Sequence, residues 1–227
     1  MLQCGMYIPK VIQKYTYQAL VRDESSGIRH YRTPEGDLVP SVTTVLSSTK
    51  DSGALDAWVE RVGAVEAERI RTESARIGTG MHNNLENILL GKEQAGGVLE
   101  RTLANLIVKQ GFPSLQEVWA VEASLYSKGL YAGTTDLVAV HKNGQPTIAD
   151  FKNSRRPKRA EWIDDYRAQL AAYALAHNEM FGTDIRQGLV MVATWTGEYQ
   201  EFLFTGLEFD RCVDLWLGKL DAYYAAR

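Results

Sequence analysis

Two aspartates and a lysine interrupt an otherwise apolar β pattern between Gly133 and Ser154: Asp136, Asp150 and Lys152. Asp150 and Lys152 are two apart on a strand, so both side chains leave the same face, about 6.5–7 Å apart along the backbone. A carboxylate there can hold a divalent cation, and the lysine can reach a phosphate oxygen beside it. Asp136 starts the preceding strand, and an antiparallel hairpin would fold it back beside Asp150. Magnesium takes hard oxygen ligands and keeps several waters, so two carboxylates and a backbone carbonyl suffice as protein ligands. Such a cation lowers the pKa of its water and, with the lysine, neutralises charge developing at phosphorus.

The triplet alone allows a second reading, a structural ion pair between Lys152 and an aspartate. Three features favour the metal reading. Gly133 lies three residues before Asp136, where backbone can approach a ligand closely. A basic run, KNSRRPKR, starts at Lys152 and holds five cations in eight residues. Gln169 and Tyr173 share one face of a helix at i, i+4. The metal reading also sets a condition on the hairpin. A two-residue turn at Asn143-Gly144 would set Asp136 opposite Phe151 and turn it away from Asp150. The site therefore requires an odd-length loop, such as a three-residue turn with Gly144 left-handed, or a bulge.

The elements that must position these residues follow from periodicity. Tyr15–Val21 alternates like a strand, and residues 15 to 40 read as a short hairpin. Ser41, after Pro40, reads as a helix N-cap. Leu55, Trp58, Val59, Val62 and Val65 fall at helical spacing, a helix runs from about Gly80 to Leu90, and another spans Leu99 to Ile107. Val118–Leu125 and the two arms around Asn143-Gly144 read as strands. A helix over 161–181, strands at Leu189–Thr194 and Glu198–Phe204, and a C-terminal helix with Phe209, Val213, Trp216, Leu220 and Tyr223 complete the order. This predicts an α/β (α+β) fold, a central mixed sheet flanked by helices. One domain over 1–227 is expected, with a hairpin and helical elaboration to 111 and a catalytic core from 112. The helices before 111 would form a wall or arch over the sheet edge that bears the site.

Together, G-T-T-D, A-D-F-K and Q-L-A-A-Y, in that order, resemble the PD-(D/E)XK nuclease superfamily, in particular its RecB-like branch. IGTGMHNNLENIL resembles that branch's histidine helix. VPSVTTVL is similar to a segment of the mitochondrial genome maintenance exonucleases and their phage relatives. The resemblance spans residue 39 to the C-terminus. It implies a restriction-endonuclease-like core, with Asp136, Asp150 and the carbonyl of Phe151 as metal ligands, His82 as a further metal ligand or a contact to the scissile phosphate, and Lys152 as the catalytic lysine. It also implies that Gln169 and Tyr173 position DNA or support the site. Ala149-Asp150 stands where the superfamily's name has proline-aspartate.

Glu86 lies four residues after His82, on the same helix face, and is expected to orient it as a hydrogen-bond acceptor. Glu122, a polar residue in a strand of Val and Ala, fits either the cleft lining or an exposed edge. Arg155, Arg156, Lys158 and Arg159 would meet phosphates. Ser41 is counted with the residues near DNA. Trp58 and Trp195 fit base stacking or the core, and His30, His141 and His177 read as structural or surface residues.

Composition narrows the classes. With 45% hydrophobic residues the chain has ample core, and its net charge of -3 excludes a basic nucleic-acid coat. No apolar run reaches the length of a membrane span. Cys4 and Cys212 are too few for a four-cysteine zinc or iron–sulfur site and fit a reducing compartment: the cytoplasm, a host's cytoplasm for a viral protein, or the mitochondrial matrix. The expectation is a deoxyribonuclease dependent on Mg²⁺ or Mn²⁺, without an iron–sulfur cluster. It would act as an exonuclease on single-stranded or frayed DNA ends. A structure-selective endonuclease and a non-catalytic DNA-binding or assembly protein are the alternatives.

Overall fold

The computed structural model describes residues 6–50 and 53–227; Cys4 lies outside them. In chain order they form β1 (Lys10–Val11), β2 (Val21–Asp23), β3 (His30–Arg32), β4 (Leu38–Pro40), α1 (Val42–Ser48), α2 (Gly53–Val62), α3 (Ala64–Leu89) and α4 (Val98–Gln110). Then follow β5 (Leu115–Ser127), β6 (Tyr131–His141), β7 (Pro146–Ser154), α5 (Asp164–Phe181), β8 (Gln187–Thr194), β9 (Tyr199–Thr205) and α6 (Gly206–Ala225). The fold is mixed α/β, with a six-stranded sheet in the order β1-β5-β6-β7-β8-β9 and a separate three-stranded sheet β2-β3-β4. β1 runs parallel to β5 and β7 parallel to β8, while the other neighbours are antiparallel. The parallel β7–β8 pair needs a crossover, and α5 supplies it.

Side-chain alternation puts a core on each face of the large sheet. Val138, Val140, Ile148, Val190 and Val192 pack with the buried faces of α1, α5 and α6. Leu137, Ala139, Ala149, Phe151, Leu189 and Met191 pack with α3 and α4. Neighbouring strand residues thus enter opposite layers, so a strand residue's parity decides which helices it meets.

The β6–β7 hairpin meets the condition set by the sequence. Val140 pairs with Pro146 and Leu137 with Ala149. His141 N–H donates to Gln145 O at 3.0 Å around a three-residue turn, with Gly144 at φ 83. Continued one step, this register sets Asp136 opposite Asp150, and facing residues share a side of the sheet. A two-residue turn would have separated them.

Two expected elements differ. Tyr15–Val21 is not a strand; only Val21 enters β2. Its alternation instead serves packing, because the Tyr15 and Tyr17 rings stack on His177 and Phe181, with centroids 4.9–5.8 Å apart. The helix expected from Gly80 begins at Ala64. Its first half is polar and carries pairs such as Arg69–Glu66 at 2.7 Å, so no apolar stripe marked it.

His177 carries a pH prediction. Its Nε2 lies 2.9 Å from Tyr17 Oη and its Nδ1 2.8 Å from Thr183 Oγ1, and the ring is fully buried. Burial lowers its pKa from 6.5 to about 4. The unfolded chain takes up this proton near pH 6.5 and the folded chain only near pH 4. The folded state is therefore favoured fully above 6.5 and progressively less as pH falls towards 4, by up to about 3 kcal/mol. Urea unfolding at pH 7.5 and 4.5 should show this loss, and His177→Gln, which cannot titrate, should show a smaller pH dependence than wild type.

Candidate active site

The site sits in a fork of the large sheet. The ladder between β6 and β7 ends at Leu137 and Ala149, whereas β5–β6 pairing continues to Ser127 and Tyr131 and β7–β8 pairing to Ser154 and Thr194. Asp136 fills the crotch, its Oδ2 accepting the Phe151 N–H at 2.6 Å. In a strand, N–H and C=O of one residue leave the same edge, so the Phe151 carbonyl also faces the fork. The Phe151 ring points the other way, into the α3–α4 core.

Three acids lie abreast on adjacent strands. The β5–β6 register runs Val121↔Leu137 and Ala123↔Thr135, which sets Glu122 opposite Asp136, itself opposite Asp150. Glu122 has φ 52, the one positive value among the described non-glycine residues. Such backbone is costly for a residue with a Cβ and occurs where surroundings impose it. Glu122 lines the cleft and remains solvent-exposed there. Ligand atoms of His82, Glu122 and Asp136 all lie within 4.8 Å of one another.

α3 brings His82 to the acids from the opposite layer. Met81 and Leu85 bury its neighbouring face, and Gly78 lies where a Cβ would come within 2.7 Å of Asn153 Nδ2. This close approach to β7 lets His82 Nδ1 reach Asp136 Oδ1 at 3.2 Å. Asp136, not Glu86, is therefore the group that orients His82. Glu86 lines the cleft instead and adds negative charge beside Glu122.

Lys152 and Asp150 form an ion contact. Asp150 Oδ2 is nevertheless buried without a hydrogen bond of good geometry. Lys152 Nζ donates to Gln169 Oε1 at 3.2 Å, so α5 orients the lysine. Tyr173, one turn further along, is buried against β6, where a Cβ on Gly133 would lie 2.8 Å from its hydroxyl. Gly133 therefore admits the Tyr173 ring, and it also lines the cleft. Gly133→Ala should displace that ring and cost about 1–3 kcal/mol of stability; urea unfolding would measure it.

The titration behaviour is that of a site short of positive charge. Burial, reinforced by the charge of Asp136, lifts Asp150 to about 6 despite Lys152. Burial and the Asp136 charge lift Glu122 to about 7. Burial also works against the Asp136 anion, but His82, Lys152 and the Phe151 N–H outweigh it and hold that carboxyl below its usual range. Burial works against the cations too, yet the acids keep both His82 and Lys152 raised. Two hard-oxygen carboxyls whose anions burial disfavours fit a divalent cation, which would supply the missing positive charge.

The cleft is a cavity of about 450 Å³. It gathers His82, Glu86, Glu122, Asp136, Asp150, Lys152, Gln169, Tyr173 and Ser41. Ser41 is the N-cap of α1, its Oγ accepting from Thr44 N at 2.9 Å. Beyond Lys152, the basic run does not line this cleft. Arg155, Arg156 and Lys158 line a separate groove with Trp58 and Trp162. Arg155 is already engaged, ion-paired with Glu73 and stacked 4.3 Å above Trp195. Arg159 lies 5.0 Å over the Trp162 ring, and Lys158's backbone exchanges two hydrogen bonds with Gln200. Arg22 and Arg29 line the cleft, and sequence reasoning missed them. They lie outside the recognisable motifs, and only their position opposite the acids gives them significance.

No family model matches the chain, and no curated protein matches it. Among solved structures, one titled "Crystal structure of SSO0001" is similar over 81% of this chain and 76% of that one, at 16% identity and a TM-score of 0.42. A likeness at that level carries no inference about activity. No described helix is long and apolar enough to cross a membrane.

Proposed function

We propose that this chain is a metal-dependent deoxyribonuclease, an exonuclease that hydrolyses phosphodiester bonds at single-stranded or frayed DNA ends. The observation that carries the reading is the convergence, in one fork, of Asp136, Asp150 and Lys152 with His82 and the Phe151 carbonyl edge. Asp136, Asp150, the Phe151 carbonyl and His82 would hold Mg²⁺ or Mn²⁺. When bound, that cation supplies Lewis-acid polarisation of the phosphoryl group and a more acidic water.

The chain's own residues do the rest. The Phe151 N–H and His82 pin both oxygens of Asp136, so its lone pairs point along a fixed direction. Lys152 is held between Asp150 and Gln169, where its ammonium can stabilise charge growing on a phosphoryl oxygen. The resemblance described above supplies the preference for DNA and for ends. Arg156 and Arg159 are exposed beyond β7 and would make sequence-independent phosphate contacts.

The test is digestion of end-labelled single- and double-stranded DNA with Mg²⁺, with Mn²⁺ and with a chelator. A closed circular single strand is the control for an endonuclease. Metal-dependent loss of linear strands with circles intact is expected. Nicked circles would assign an endonuclease, and no cleavage under either metal would leave a binding protein.

A further inference from the structure

We infer that the wall of the cleft opposite the acids is an anion subsite for a terminal phosphomonoester, built from Arg22 and Arg29. The inference rests on the nuclease reading for its substrate, but its geometry stands apart from the metal ligands. Arg22 and Arg29 belong to the N-terminal sheet region and line the same cavity as Asp136, Asp150 and Lys152. Arg22 pairs across β2–β3 with Tyr31, so both side chains share the face that looks into the cleft. The Arg29 backbone is held by Ser41 N at 3.0 Å and by Thr44 Oγ1 at 2.8 Å, both donating to its carbonyl. Ser41 in turn bridges to Ala132 on β6, the strand that carries Asp136. The arginine wall is thereby tied in register to the acid wall.

The charge pattern selects the ligand. Arg22 Nη2 and Arg29 Nε both donate to one oxygen, Glu24 Oε1, at 2.5 and 3.3 Å. Two guanidiniums thus share one carboxylate, which leaves a net positive charge and, among the described residues, their other N–H groups unpartnered. Each guanidinium presents a planar fork that fits phosphate oxygens two at a time. A terminal phosphomonoester carries about −1.5 to −2 charges near neutral pH, and an internal diester about one. A pair of arginines prefers the dianion. The acids of the facing wall repel any anion that is not seated against the arginines or screened by a cation. The subsite would therefore both bind the end and set which linkage reaches Lys152.

The experiment is fluorescence anisotropy of short oligonucleotides labelled internally and carrying 5′-phosphate, 5′-hydroxyl, 3′-phosphate or 3′-hydroxyl ends. Binding is measured in a chelator so that no hydrolysis intervenes. Wild type is expected to bind one phosphorylated end roughly 10-fold or more tightly than the matching hydroxyl end, the size expected of charged hydrogen bonds. Arg22→Gln with Arg29→Gln should bring that ratio to one, with an unchanged far-UV spectrum and melting temperature. Arg22→Lys with Arg29→Lys keeps the charge but loses the forks, and should lower the ratio even if the Gln pair misfolds. Equal binding of phosphate and hydroxyl at both ends, or a ratio that survives in the variants, overturns the subsite. A phosphate preference without metal-dependent cleavage would remove the nuclease reading and leave the subsite standing.

Discussion

Asp150→Asn is expected to reduce metal-dependent cleavage by on the order of 10³-fold or more, the scale of losing a principal electrostatic element of a phosphoryl-transfer site. The substitution is nearly isosteric, and Asp150 is buried in β7, one residue past the end of the β6 ladder and still paired with Val190 on β8, so the fold should survive. What changes is charge. Asparagine presents one neutral oxygen where the site offers a buried carboxylate whose Oδ2 is in ion contact with Lys152. Calorimetric affinity for Mn²⁺ should fall by at least roughly 10–100-fold, the loss typical even of groups that only support a ligand. DNA binding in chelator should persist or tighten, because the cleft loses a negative charge. Cleavage by Asp150→Asn at the wild-type rate would remove the hydrolytic reading.

Lys152→Ala should separate chemistry from metal binding. The ammonium contacts Asp150 and Gln169, and on the proposed nuclease reading it would meet the phosphoryl oxygen, so its effect would belong to the transition state. Cleavage should fall by roughly 10²–10³-fold. Mn²⁺ affinity should hold or rise, since a cation that competes for Asp150 has gone. A parallel loss of metal affinity and activity would instead make the lysine a structural partner of Asp150. Gln169→Ala offers a milder comparison, because it frees the lysine without removing its charge. Its deficit should lie in kcat with KM little changed.

The two aspartates and the lysine were legible because strand spacing is a local property. Residues two apart share a face whatever the rest of the chain does, and the length of a turn decides which partner each residue meets. The requirement for an odd-length hairpin at Gly144 followed from that alone, and a three-residue turn is present. The i, i+4 pair Gln169 and Tyr173 was legible for the same reason, whereas the close packing of Gly133 against the tyrosine ring was not. Glu122 was visible only as a polar intruder. Its place in the cleft depends on a β5 irregularity between Val118 and Ala120 and on a positive φ, neither of which its residue type announces.

By itself the sequence determined the mixed α/β class, most helices and strands, and the shared face of Asp150 and Lys152, with Asp136 joining them only on the condition of an odd-length turn. Each rests on periodicity or turn chemistry acting over a few residues. Tertiary structure alone decided that β6 and β7 part at Asp136, that α3 crosses close enough to deliver His82, and that Glu86 lines the cleft without orienting it. It also decided that Arg155 pairs with Glu73 on α3 and not with an open cleft, while Arg22 and Arg29, more than a hundred positions from Asp136, face the acids. The physical reason is range. Alternation and helical spacing fix where a side chain points on its own element. Which charge stands across from it depends on long-range packing, which one chain's local pattern does not encode.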